Sequence, residues 1–197
     1  MIKNIIFDIG NVLATFQPKK VLSKYFSDLY IDDIYSFFFE KDRWNLYDQG
    51  IMFKEDLIKE ACTTFPTLEK NVIEFMNHWV EDVIEIKEIV HLLLTYKNKG
   101  YKTYILSNLP YDSYRYLQEH SHFMHHIDGG VYSYQEKLIK PDSKIYYCLL
   151  QKYQLKANEC LFIDDRLENI QAAKKIGFKT IHATSIQAIL EQVESKL

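Results

Sequence analysis

From about residue 86 onward the chain alternates between helical and strand periodicity without interruption. Residues 86–99 repeat apolar positions at helical spacing and close at Gly100, the residue favoured at a left-handed helix end. Residues 102–106 read as a strand, and a helix follows Pro110. A short strand falls near Gly130-Val131-Tyr132, and Lys140-Pro141 precedes a helix over 143–153. Leu161-Phe162-Ile163 is a buried strand, 167–176 a helix ended by Gly177, 179–182 a last strand and 186–194 a last helix. Strands separated by helices in this way pair in parallel through right-handed crossovers. Their continuous apolar runs require a sheet covered on both faces. The pattern predicts an α/β fold, a Rossmann-like parallel sheet with helices on both sides. The order of the strands does not follow from it.

One further strand stands far upstream. Ile5-Ile6-Phe7 reads as a short buried strand that reaches a carboxylate, Asp8, with Gly10 two residues on. Residues 18 to about 80 carry helical spacing and no convincing strand: Val21, Leu22, Tyr25, Phe26 and Leu29, then Ile34, Phe37 and Phe38. A third segment covers 56–64 and a fourth 68–79. Pro18 suits a first helical turn, and Pro66 marks a break. The expected organisation is a core of residues 1–14 and 85–197 with a helical bundle, 15–84, inserted after the first strand. Aromatic residues concentrate in that insert, and Tyr35, Phe37, Phe38, Phe39, Trp44 and Tyr47 are expected in its core. Trp44 and Tyr47 are also candidates to line a ligand cleft, with Lys41 and Arg43 as candidate substrate contacts.

At 197 residues the chain suffices for one sizeable core with a smaller companion. A net charge of −3 leaves no broad nucleic-acid footprint. The three cysteines, Cys62, Cys148 and Cys160, form no CxxC pair and are odd in number. That argues against a disulfide framework or a structural zinc site and fits a reducing cytosol. The amino terminus lacks a basic start followed by a long apolar core, and no apolar run approaches the roughly 18 residues of a membrane span. A cytoplasmic protein, monomer or homodimer, with no membrane or nucleic-acid partner is expected. His120, His122, His125 and His126 have no Cys or acidic partner at ligand spacing and read as a solvated loop rather than a zinc site. Gly129-Gly130 lacks the context of a dinucleotide site and reads as a turn.

Three strands end in polar groups: Asp8, Ser107-Asn108 and Asp164-Asp165. Lys140 follows the strand near residue 131. In a parallel sheet these ends share one edge, where open α/β folds place their ligands. Carboxylates that meet there repel one another unless a cation is present, and an all-oxygen donor set favours magnesium over zinc. A serine hydroxyl, backbone amides and an ammonium complement a phosphoryl dianion. A carboxylate nucleophile splits phosphoryl transfer into two steps.

In Phe7-Asp8-Ile9-Gly10-Asn11-Val12, Leu106-Ser107-Asn108, Lys140-Pro141 and Ile163-Asp164-Asp165, with Asn169 beyond, the chain resembles the haloacid dehalogenase superfamily. The resemblance spans nearly the whole chain, and the insert is similar to that family's helical cap. It implies a magnesium-dependent phosphatase acting on a small phosphorylated metabolite. Asp8 would be the nucleophile and a metal ligand, the carbonyl of Gly10 a second ligand, and Asp165 a third, with Asp164 a ligand or its partner. Ser107 and Asn108 would hold phosphoryl oxygens, and Lys140 would neutralise the phosphoryl group and steady Asp8.

One departure matters. Most phosphatases of the family carry a second aspartate two residues after the nucleophile, as general acid and base, and this chain has Gly10 there. A positioned general acid contributes roughly 10²–10⁴ in rate. Asn11 cannot titrate, although it can orient water or the nucleophile, and a group from the cap or a good leaving group can compensate. The Asp-Ile-Gly-Asn-Val spelling is similar to a branch that includes α-glucose-1-phosphate phosphatases, which implies a sugar phosphate. The alternatives are a non-catalytic phosphate-ligand binder and a metal-independent dehalogenase. The acidic pair Asp164-Asp165 weighs against the dehalogenase.

Overall fold

The strands form one parallel sheet: β1 (Asn4–Phe7), β2 (Lys102–Ser107), β3 (Gly129–Tyr132), β4 (Cys160–Asp164) and β5 (Lys179–His182), in the order β3-β2-β1-β4-β5. The computed structural model describes all residues, 1–197. The chain runs from β1 outward through β2 to β3, then crosses back to lay β4 on the free side of β1. That reversal puts the switch point between β1 and β4, where a crevice opens beyond the carboxyl ends of the strands. Phe7 is level with Ile105 on β2 and with Ile163 on β4. Asp8 and Asp164 therefore leave neighbouring strands side by side, and Ser107 ends the strand on the other side of β1.

No strand occurs between β1 and residue 86. This segment holds α1 (Pro18–Leu22), α2 (Asp28–Tyr35), α3 (Arg43–Asp48), α4 (Lys54–Thr64) and α5 (Glu69–His78). The apolar series from Val21 to Leu29 predicts one helix, but the chain turns after Leu22, and Leu29 is 79% exposed. From α2 the chain continues into a wider π turn, Ser36–Glu40, which buries Phe37 and Phe38 together. The six-residue α3 is too short to show helical periodicity in the sequence. Edge-to-face contacts, Phe38 to Phe75 at 5.3 Å and Trp44 to Trp79 at 5.0 Å between ring centres, knit these helices together. Where the chain leaves and returns, Thr15 N donates to the Ile84 carbonyl and Ile86 N to the Leu13 carbonyl, both at 2.8 Å. The two connections thus run antiparallel, with Ala14 opposite Glu85.

The remaining helices are α6 (Lys87–Asn98), α7 (Tyr111–His120), α8 (Ser133–Glu136), α9 (Ser143–Lys152), α10 (Leu167–Ile176) and α11 (Ile186–Lys196). Alternate strand residues point to opposite faces. Ile5, Phe7, Ile105, Leu161 and Ile163 pack with α6, α7, α11 and the inserted helices in one continuous apolar core. Ile6, Leu106 and Phe162 point the other way, onto Ile145, Tyr146 and Leu149 of α9 and Ile170 and Ala173 of α10. Both faces are covered, which leaves the carboxyl edge as the place where polar side chains converge.

Candidate active site

Asp8 is 6% exposed, and one of its two oxygens carries the hydrogen bonds. Oδ1 accepts from its neighbour's amide, Ile9 N, at 2.7 Å and from Ser107 Oγ at 2.7 Å, and Lys140 Nζ lies 2.9 Å away. Oδ2 accepts no side-chain or main-chain hydrogen bond and is the free oxygen of the pair. Burial pushes the Asp8 carboxyl up to about 7. Lys140 and the Ser107 hydrogen bond oppose that rise, and Asp164 and Asp165 add to it.

Lys140 is 3% exposed and spends its ammonium on three acceptors: Asp8, Asp164 Oδ2 at 2.7 Å and the Leu106 carbonyl at 2.9 Å. Burial works against the charge, but Asp164 and Asp8 outweigh it and hold Lys140 above the ordinary lysine value. Asp164 is fully buried, and its carboxylate also accepts from Arg166 N at 2.8 Å and from Asn169 Nδ2 at 3.0 Å. Asn108 Oδ1 accepts from Lys140 N at 2.9 Å, and its Nδ2 donates to the Lys140 carbonyl at 3.1 Å. The Asn108 side chain is therefore committed to the lysine's main chain, and what it leaves for a ligand is its backbone amide.

Asp8, Asp164 and Asp165 each bring one carboxylate oxygen within 4.8 Å of the others. Asp165 is half-buried and less committed than Asp164, with a single side-chain partner, Asn11 Nδ2 at 2.9 Å. Burial raises its carboxyl, the Asn11 bond and Lys140 pull it back, and Asp164 pushes it further up. Asn11 sits at φ 53°, a backbone region that Asn tolerates, and its Oδ1 accepts from Phe16 N at 3.0 Å. Asn11 thus orients Asp165 rather than the nucleophile. Three carboxylates against one ammonium leave negative charge unbalanced, and hard oxygen donors at this spacing suit a divalent cation such as magnesium.

Above these groups opens a cavity of about 320 Å³. Its floor is Asp8, Gly10, Ser107, Asn108, Lys140 and Asp165, and its far wall is aromatic, from Phe16, Tyr35, Phe39, Trp44 and Trp79. Trp44 is at once core and cleft wall. Tyr47 does not line the cavity and instead donates to Asp112 Oδ2 at 2.6 Å. Arg43 is turned away, bonded to Glu60 at 2.8 Å and lying over the Phe37 ring, and Lys41 does not line the cavity. His122 and His126 face each other at 3.3 Å, and His120 stacks on Tyr116, and none of them lines the cavity or joins the carboxylate cluster.

Among the lining residues that escaped the sequence reading, two carry charge, Asp48 and Arg166. Asp48 is the last residue of α3 and is 8% exposed. Burial raises its carboxyl well above the ordinary range and Asp8 adds to this, while Arg166 and Lys140 pull it down. The signal available was a lone acid closing the aromatic run Trp44-Asn45-Leu46-Tyr47.

The open parallel sheet thus gathers a buried aspartate, a serine, a lysine and an acidic pair at its carboxyl edge. Residues 2–177 match the haloacid dehalogenase-like hydrolase family, and the chain belongs to it. It is 25% identical to the sesquiterpene phosphatase astK of Aspergillus oryzae over 92% of this chain and 90% of that protein. It is 24% identical to the D-ribitol-5-phosphate phosphatase of Bacteroides thetaiotaomicron, over 91% of each. Among solved structures, a haloacid dehalogenase family enzyme of Bacteroides thetaiotaomicron in complex with magnesium and inorganic phosphate superposes with a TM-score of 0.77. That likeness is at 18% identity and covers 91% of this chain and 93% of the other. The L-2-haloacid dehalogenase of Xanthobacter autotrophicus shares the fold at a TM-score of 0.68 and 18% identity, covering 100% of this chain and 84% of that one.

Proposed function

We propose that the chain is a magnesium-dependent phosphomonoesterase in which Asp8 attacks phosphorus and forms an aspartyl phosphate. The observation that carries this reading is the asymmetry of Asp8. Oδ1 is fixed by Ile9 N, Ser107 and Lys140, and Oδ2 faces no donor. A nucleophile held in one orientation spares most of the entropic cost of attack. Ser107, Asn108 and Lys140 line one side of the cavity floor. The Asn108 amide is the donor proposed for a phosphoryl oxygen. Ser107 and Lys140, whose hydrogens hold Asp8, Asp164 and the Leu106 carbonyl, set the nucleophile and place positive charge beside the phosphoryl group.

Asp8, Asp165 and the carbonyl of Gly10 are the groups proposed to hold magnesium. Asp164 braces Lys140 from behind. When bound, the cation neutralises phosphoryl charge and aligns the ester with the nucleophile. Lys140 stays protonated throughout, since two carboxylates hold its charge. For the organic part of the ester, the proposal is a small sugar or polyol phosphate. The two similar phosphatases act on a polyol phosphate and a sesquiterpene by name. Support for the sugar comes from the modest cavity and from Asn45 and Asp48 set beside aromatic faces, a pairing that suits a molecule with both hydroxyls and C–H edges.

The test is phosphate release from p-nitrophenyl phosphate and a panel of sugar and polyol phosphates, with and without magnesium, on the native chain and on Asp8→Asn. Turnover that needs magnesium and vanishes in Asp8→Asn is the expected result. Turnover that survives Asp8→Asn would rule out the aspartyl-phosphate route.

A further inference from the structure

We infer that Asp48, supplied by the inserted helices, is the proton donor and acceptor for the leaving oxygen, in the role that Gly10 cannot fill. The inference rests on the phosphomonoesterase reading and adds a catalytic residue to it.

The position of Asp48 is the first ground. It lines the same cavity as Asp8 but enters from α3, opposite the sheet edge. An ester whose phosphoryl group rests on the Asp8, Ser107 and Lys140 side directs its leaving oxygen away from the sheet, because attack and departure are in line. The inserted helices stand on that side.

The second ground is that Asp48 as a residue is more than nine-tenths buried, yet no side chain or amide donates to its carboxylate, which opens onto the cavity rather than being fully enclosed. Outside its own helix, it is the main-chain carbonyl of Asp48 that is bonded, accepting from Ser133 Oγ. Structural aspartates in protein interiors are satisfied by donors, since an unmet buried polar group is costly. Asp164 and Asp128 show the ordinary pattern in this molecule, each with several donors. A carboxyl left without a donor beside an open cavity is suited to carry a proton and give it to a ligand.

Third, the residue is held firmly despite belonging to the insert. Tyr47 donates to Asp112 on α7 at 2.6 Å, Ser133 on α8 bonds the Asp48 carbonyl, and Lys137 Nζ donates to the Gly50 carbonyl at 2.6 Å. Ser133 Oγ in turn accepts from Leu109 N at 2.9 Å, two residues beyond Ser107. The end of α3 is thus tied to the loop that carries the phosphoryl donor, as a catalytic acid requires.

The other charged side chains of the cavity are already engaged. Asp8 is the nucleophile, Asp165 is held by Asn11 on the metal side, and Lys140 is held by two carboxylates. Arg166 does not release protons at any working pH.

In the first step Asp8 Oδ2 bonds to phosphorus as the phosphorus–oxygen ester bond breaks. The departing oxygen takes the Asp48 proton, so the products are an alcohol, an aspartyl phosphate and an Asp48 carboxylate. In the second, that carboxylate takes a proton from water as the water oxygen bonds to phosphorus. The bond to Asp8 breaks, which releases inorganic phosphate and restores both side chains.

The experiment is a leaving-group series on native protein, Asp48→Asn and Asp48→Glu, with magnesium. A nitrophenolate departs unaided, whereas an alkoxide needs a proton. Asp48→Asn is expected to lower kcat/KM for alkyl phosphates by roughly 10²–10⁴-fold and for p-nitrophenyl phosphate by only a few-fold. Asp48→Glu keeps a carboxyl and should fall between. A uniform loss across the series, or none, would overturn the assignment of Asp48, and the phosphatase reading would stand. Absence of turnover by the native protein on every ester would instead sink that underlying reading. Thermal unfolding of each variant, with and without inorganic phosphate, separates a lost acid from a lost fold. A variant that unfolds or no longer binds phosphate while Asp48→Glu behaves as Asp48→Asn counts against the acid.

Discussion

Asn108 and Lys140 are joined at both main-chain groups of the lysine, the carboxamide accepting from its N–H at 2.9 Å and donating to its carbonyl at 3.1 Å. The pairing fixes the backbone from which Lys140 reaches under β2 to Asp8 and Asp164. Without it the ammonium would have to be placed by its own four-carbon stem, at a cost in side-chain entropy.

Asn108→Ala is therefore expected to act through Lys140. Two partly buried hydrogen bonds are lost, which costs on the order of 1–3 kcal/mol, measurable as a lower urea midpoint. Activity should fall mainly in kcat, since the lysine's placement matters most as charge develops on the phosphoryl group. Asn108→Asp keeps the acceptor and loses the donor, so it should retain more of the stability.

Magnesium binding should be linked to protons. With the Asp8 carboxyl pushed up to about 7 by burial and by its acidic neighbours, a proton competes with the cation below that pH. Affinity should rise as pH rises from 6 to 8 and level off above, by no more than about tenfold per unit for one proton. Calorimetric titration in buffers of different ionisation heat reads both the affinity and the proton released. Asp165→Asn should weaken binding at every pH. A cation at a hundred times its dissociation constant should stabilise the fold by about 2.7 kcal/mol.

Asp128 makes a prediction independent of the site. Burial raises its carboxyl, but Thr103 N and the ammoniums of Lys97 and Lys102 outweigh that and lower it to about 2. A folded value below the unfolded one contributes stability that is present above about pH 4 and lost as pH falls through 2. The group is partly open to solvent, so the contribution is discounted to on the order of 1 kcal/mol. Asp128→Asn should lower the urea midpoint at pH 7 and leave it nearly unchanged at pH 2.

The sheet was legible because each strand is an apolar run stopped by a polar residue, and runs of that kind have few other places to be. Asp8, Ser107 and Asp164 announce themselves by ending such runs. The strand order was not legible, because it depends on crossovers that leave no mark on local periodicity. In the insert, apolar spacing located α4 and α5 but gave a single helix where the chain turns at Ser23–Ser27, since aromatic residues at helical spacing also fill a turn between short helices. Asp48 was invisible for a related reason. A lone acid at the end of a six-residue helix looks like a solvated residue until the fold brings it over Asp8.

Gly10 supplies the sharpest prediction. A β-carbon at this position would meet nothing within 4 Å, and Gly10 is not among the residues with positive φ. A side chain can therefore branch there without a clash at its β-carbon, and an aspartate adds an electrostatic cost, a further carboxylate near Asp8 and Asp165 that magnesium would offset. If proton donation is what the residue lacks, Gly10→Asp placed in the Asp48→Asn background should recover alkyl phosphate turnover and leave p-nitrophenyl phosphate little changed. In the native background the gain should be small, because one acid suffices for one leaving oxygen. The double variant should also be more dependent on magnesium for stability than the native chain, readable as a larger rise in Tm on adding the cation. Recovery confined to alkyl esters would tie Asp48 and position 10 to the same proton. No recovery of alkyl phosphate turnover in a folded, phosphate-binding double variant would mean that Asp48 acts on the substrate in some other way.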